Sequence, residues 1–125
     1  MKGCIERFLC SFFQVFGAYI EEINIVGSKV TGLVKYDDNS GEQYFLWNMP
    51  DIHLVEKGTE VLDCLFTGKL ISGDKLTVSR IDLINNLIDH GWNESEVTET
   101  IDFLFRIRIN MTDDGKETDC FFIHW

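Results

Sequence analysis

The sequence predicts an α+β fold: an N-terminal helix, an antiparallel three-stranded meander, a helix–turn–helix pair and a C-terminal β-hairpin. Three observations carry this prediction. Apolar residues near the N-terminus recur at three- and four-residue steps, the period of one helix face. From Glu21 to Met49 they recur at every second position, the period of a strand. Two later segments, beginning at Ser79 and Asn93, each open with a capping side chain and an acid three residues on. The 125 residues form one domain, 1–125, because there is one proline, Pro50, and no linker, repeat or low-complexity tract.

In the first segment, MKGCIERFLCSFFQVFGAYI, residues Ile5, Phe8, Leu9, Phe12 and Phe16 fall on one helix face. Phe13 and Val15 widen the apolar surface, so this helix is covered on most sides or helps form an oligomer interface. Lys2 followed by an apolar run resembles a signal peptide, but Glu6, Arg7 and Gln14 interrupt the run. At this length it cannot span a bilayer. Ile23 and Ile25 then face one way, as do Val30, Val34 and Tyr36, with Gly27-Ser28 as the turn between the two runs. Asp37 to Glu42 forms a second turn, and Tyr44 to Trp47 a third strand. After Pro50 the stretch TEVLDCLFTG reads as a short helix, with Thr59 as cap, Gly68 as stop and His53 in the preceding loop. Residues 69–78 suggest a small hairpin around Ser72-Gly73-Asp74.

Ser79 caps the next helix, with Asp82 as its third residue and Val78 and Leu83 placed as a hydrophobic staple. Its expected buried stripe is Ile81, Ile84, Leu87 and Ile88, and His90-Gly91 closes it. Asn93 caps the following helix, Glu96 sits three residues on, and Trp92 staples to Val97. Val97, Ile101, Leu104 and Phe105 form its stripe. The end of the chain alternates again around a turn at Asp114-Gly115. Phe121, Ile123 and Trp125 alternate with Cys120, Phe122 and His124, so the last strand is expected to be central or covered by helices.

The formal net charge is −10, with 45% hydrophobic and 13% aromatic residues. Such a field repels nucleic acid and anionic membranes and attracts basic partners. Cys4, Cys10, Cys64 and Cys120 form no C-x-x-C pair. Scattered among apolar residues, they read as buried, reduced thiols, which suggests a cytoplasm; two disulfides in a secreted protein are the other reading. His53, His90 and His124 make no zinc spacing. Cys120 and His124, four apart in a strand, lie about 13 Å from each other. The Asp37–Glu42 run lacks the register of a calcium loop, and Asn48 stands where the terminal Glu would be. No phosphate loop, dinucleotide fingerprint or nucleophile elbow is present. The sequence therefore implies no cofactor, no metal and no catalytic group.

Two helices followed by a hairpin is the order of a winged helix. Between Ile81 and Phe105 there is, however, no Lys or Arg, and there are six acids: Asp82, Asp89, Glu94, Glu96, Glu99 and Asp102. A helix so charged is repelled by DNA phosphates. The same acids on a rigid element suit a basic protein, with Trp92 as an aromatic anchor. Tyr44, Trp47 and Trp125 are further candidates for exposed aromatics. Solvation and helix-dipole compensation alone also account for Glu94 and Glu96. In size, charge and composition the chain resembles bacterial immunity proteins of contact-dependent inhibition systems. That resemblance implies a non-enzymatic, cytoplasmic binding protein that blocks a basic toxin domain, for which a nuclease is one candidate. Two alternatives are a winged-helix-like adaptor or regulator that contacts proteins, and a small enzyme with an unobvious site.

Overall fold

The computed structural model describes residues 2–72, 75–113 and 116–121. The order is α1 (Lys2–Val15), β1 (Ala18–Val26), β2 (Lys29–Tyr36), β3 (Glu42–Asn48) and α2 (Ile52–Thr67). There follow β4 (Ile71–Ser72), β5 (Lys75–Leu76), α3 (Arg80–Asp89), α4 (Glu94–Arg106), β6 (Ile109–Asp113) and β7 (Lys116–Phe121). The fold is α+β, as the sequence predicts. β1, β2, β3, β6 and β7 form one antiparallel sheet in that order, and β4 pairs with β5.

Phe8, Leu9, Phe12 and Phe13 of α1 are fully buried within the chain. Phe8 stacks on Trp47 at 5.4 Å between ring centroids, and Phe13 meets Phe45 at 5.1 Å. The helix thus seals the sheet face that carries Val30, Val34, Phe45 and Trp47. α2 packs beside α1, α4 beside α2, and α3 on α4. The opposite sheet face carries one cross-strand row of Leu33, Tyr44 and Thr112 and another of Thr31, Leu46 and Asn110. On this face Tyr19 and Tyr44 are about half exposed.

Several boundaries differ from the sequence reading. Gly17, at φ +71, ends the helical path, so Ala18, Tyr19 and Ile20 join β1. α2 starts at Ile52, and its cap is Asp51, whose side chain accepts from the His53 N–H at 2.9 Å. His53 therefore lies in the first helical turn rather than in a loop. Thr59 is buried mid-helix, where its hydroxyl donates to the Val55 carbonyl at 3.0 Å instead of capping. Gly68 does end the helix, its N–H donating to the Cys64 carbonyl at 2.9 Å.

In α3 the Ser79 cap stands, its hydroxyl accepting from the Asp82 N–H at 3.2 Å. The buried residues are Leu83 and Leu87, while Ile81 is 69% exposed, because α3 rests on α4 along one narrow side. The Asn93 cap also stands, accepting from the Ser95 N–H at 2.9 Å. Thr100 joins Val97, Ile101 and Leu104 in the buried stripe of α4, and Phe105 is only half buried. Ile107, Ile109 and Met111 are buried as the alternation predicts. β7 pairs with β6 alone among the described strands, so Lys116–Phe121 lie at the edge of the described sheet, while most of the apolar stretch expected to be central or covered by helices lies beyond them. β6 also pairs with β3, so the terminal hairpin is built into the sheet and does not stand as a separate wing. The turns expected at Gly73-Asp74 and Asp114-Gly115, and Phe122, Ile123, His124 and Trp125, lie outside the described residues. None of the four cysteines is buried to the degree expected: Cys10 is exposed and Cys4, Cys64 and Cys120 are intermediate.

Candidate interaction site on the fourth helix

α4 is a firm platform. Val97, Thr100, Ile101 and Leu104 anchor it in the core, and Asn93 satisfies its N-terminus. Its solvent side carries Glu94, Ser95, Thr98, Glu99 and Asp102, which line one shallow surface. These positions are spaced so that helical rotation brings them to one side. The N-terminal placement of Glu94 and Glu96 favours the helix dipole.

The six acids expected to act together do not form one cluster. Asp82 and Asp89 are exposed on α3, and neither lines the α4 surface. Glu96 is exposed as well but does not line the surface of Glu94, Glu99 and Asp102. Asp102 is half buried and ion-paired with Arg80, which ties the start of α3 to the middle of α4. Trp92 is half buried against the core, with the Lys57 ammonium 5.3 Å from its ring centroid. It is a joint between α2 and α4 whose face is already covered by a cation. Of the other aromatic candidates, Trp47 is 3% exposed and Tyr44 is 55% exposed.

Glu99 and Asp102 also form one wall of a groove of about 490 Å³. Pro50 and Leu54 of the α2 entry, Leu46, Trp47 and Asn48 of β3, and Phe103, Arg106, Ile107, Arg108 and Asn110 complete it. Sequence reasoning missed this groove. Its α2 wall was read as a loop, and its β3 and β6 walls meet only once the sheet order is known. The order of charges along α4 was legible: acids up to Asp102, then Arg106 and Arg108. On the open sheet face, Leu46 is shared with a second hollow, lined also by Glu22, Thr31, Tyr44 and Thr112.

A third hollow, of about 370 Å³, brings Asp63, Cys64, Asn86 and His90 together. Burial, with Asp63 and Glu60 nearby, pushes the Cys64 thiol up from its ordinary value of 9.0. The His90 Nδ1 lies 2.7 Å from the Asn86 carbonyl, so that nitrogen carries the proton. Asp63 is held by Arg7 at 3.0 Å. A protonated thiol beside carboxylates is a poor nucleophile. No group of three or more His, Cys, Asp or Glu side chains able to hold a metal occurs among the described residues. No helix among them is long and apolar enough to cross a membrane. No protein-family model, curated protein or solved structure matches the chain.

Proposed function

We propose that this chain is a non-enzymatic binding protein that neutralises a basic protein partner, as an immunity protein blocks its cognate toxin domain. The observation that carries the reading is the acidic side of α4, where Glu94, Glu99 and Asp102 line one rigid surface. The net charge of −10 extends the attraction beyond contact distance. Neutralisation follows from occupancy: the acids meet the Lys and Arg side chains that surround the partner's substrate site. The substrate is then excluded by volume and by charge. Nucleic acid and anionic membranes are poor partners for the same surface.

The test is co-expression with the C-terminal domain of the protein encoded immediately upstream, scoring growth and co-purification. Rescue of growth with a stable complex supports the reading; toxicity that the chain does not relieve sinks it. Within a complex, Glu94→Lys with Glu99→Lys is expected to slow association about tenfold or more at low salt, and much less at high salt. Glu96→Lys is expected to have a smaller effect. Equal effects of the two changes would remove the α4 surface from the mechanism.

A further inference from the structure

The groove beside α4 has a direction. Glu99 lines it at one end of the helical wall and Arg106 at the other. Seven residues apart, the two lie on one side of the helix, about 10 Å from each other along its axis. Between them Asp102 is occupied by Arg80. Neither Glu99 nor Arg106 makes an ion pair among the described residues, and both are exposed. Leu46, Leu54 and Phe103 add apolar lining to the groove.

A second observation concerns the backbone. β3 pairs with β6 at Tyr44, Phe45 and Leu46, and the last pair is Leu46 with Asn110. β3 continues through Trp47 and Asn48, while the chain preceding β6 turns away toward α4. The groove lies in this fork, between the end of one strand and the departing chain. An extended segment entering it runs alongside a strand end, the geometry of β-strand addition.

We infer that the groove seats an extended segment of a partner protein that carries a basic residue facing Glu99 and an acidic residue facing Arg106, four residues apart and so on one face of the segment. Side chains share a face of an extended segment only at even steps, and four residues span about 13 Å, which long charged side chains fit to the roughly 10 Å between Glu99 and Arg106. An apolar residue between the two charges rests on Leu54 and Phe103. The groove volume falls within the range of sites that bury a small ligand or a few residues. The inference rests on the reading of the chain as a protein-binding protein, and it specifies the partner's chemistry. It also adds a condition that a purely acidic surface does not impose: a uniformly basic segment meets repulsion at Arg106.

The experiment is selection of random peptides displayed on phage against the intact chain, and against a Glu99→Arg, Arg106→Glu double variant. Both positions are exposed, so the fold is expected to survive, as circular dichroism and thermal melting of the variant would verify. The intact chain should enrich peptides with a base and an acid four residues apart. The variant should enrich the same spacing in the opposite chain direction and bind the first set about tenfold more weakly or worse. Amide shift changes on binding should fall on Leu46, Asn48, Phe103 and Asn110. Failure to enrich, enrichment without that charge pattern, a pattern that does not reverse, or shifts confined to the Tyr44 face would each overturn the inference. Rescue and co-purification with a toxin domain do not depend on this outcome, so the two proposals fail separately.

Discussion

Gly32, in the middle of β2, is the position where one added carbon should do the most damage. A β-carbon built there would stand 2.1 Å from the Glu22 carbonyl oxygen and 2.7 and 2.8 Å from the Phe45 ring. Real β-carbons essentially never approach a heavy atom closer than 3.0 Å, so the first contact overlaps by 3.0 − 2.1 = 0.9 Å. Neither neighbour can yield easily. The carbonyl belongs to the backbone beside the irregularity between Ile20 and Glu22, and the Phe45 ring is held by Phe13. Relief requires parting β1 from β2, an overpacking cost of about 3 kcal/mol or more. Alanine restrains the unfolded chain more than glycine does, which offsets about 0.5–1 kcal/mol. The expected net loss for Gly32→Ala is therefore about 2 kcal/mol or more. In urea this lowers the midpoint by roughly 1 M for a slope near 2 kcal/mol per M. Gly3→Ala is the control: nothing lies within 4 Å of its β-carbon, and a helical alanine there should leave stability equal or slightly higher. A Gly32→Ala protein as stable as its parent would refute the close approach of β1 to β2.

Three further outcomes are expected. Leu83→Ala should cost about 2–5 kcal/mol, whereas Ile81→Ala, at an exposed site, should stay within about 0.5 kcal/mol; chemical denaturation of both variants checks the orientation of α3. Asp51→Ala removes the cap of α2 and should lower stability by about 1 kcal/mol, visible as a lower melting temperature. Burial raises the thiols of Cys4, Cys10 and Cys64 above their ordinary value of 9.0. At pH 7.5 iodoacetamide should therefore modify them more slowly than a thiol in an unstructured peptide, Cys10 first, with rates still climbing above pH 9.0 as mass spectrometry follows them. By linkage, any stability these thiols supply is complete below 9.0 and declines as pH rises through their raised values, because the unfolded chain releases its protons first.

Much of the fold was legible because local signals agreed with one another. The alternation from Ile23 to Trp47 and the caps at Ser79 and Asn93 each need only neighbours in sequence to act. The errors fall where a distant residue decides. Thr59 reads locally as a cap, which shortens the expected α2 to begin just after Gly58. The lack of a side chain at Gly58 lets α2 close on Phe8 and Phe103, which stand 3.0 and 3.2 Å from where a β-carbon would be. The spacing of Ile81 places it with the core, yet α3 packs mainly on α4 and buries Leu83 and Leu87 there while leaving Ile81 exposed. The acids were legible as a group, but their division was not. Which of the acids line the shallow surface depends on how α4 is rotated against the core, and whether Asp102 is already paired depends on where Arg80 lands. The groove joins α4 with β3 and the start of α2, both distant from α4 in the chain, so nothing in a local reading could draw it.

The position of α1 also sets a schedule for the chain's synthesis. Phe8 is made before its partners: Trp47 of the sheet follows it, and Phe103 of α4, 5.8 Å away, comes last. At roughly 5–20 residues per second, about 5 to 20 seconds separate the appearance of Phe8 from that of Phe103. Throughout that interval a helix bearing Phe8, Leu9, Phe12 and Phe13 has only part of its eventual cover. Within this chain the apolar helix face is thus made well before its cover, and it depends on prompt meander formation, or on chaperones, to keep that surface from other chains.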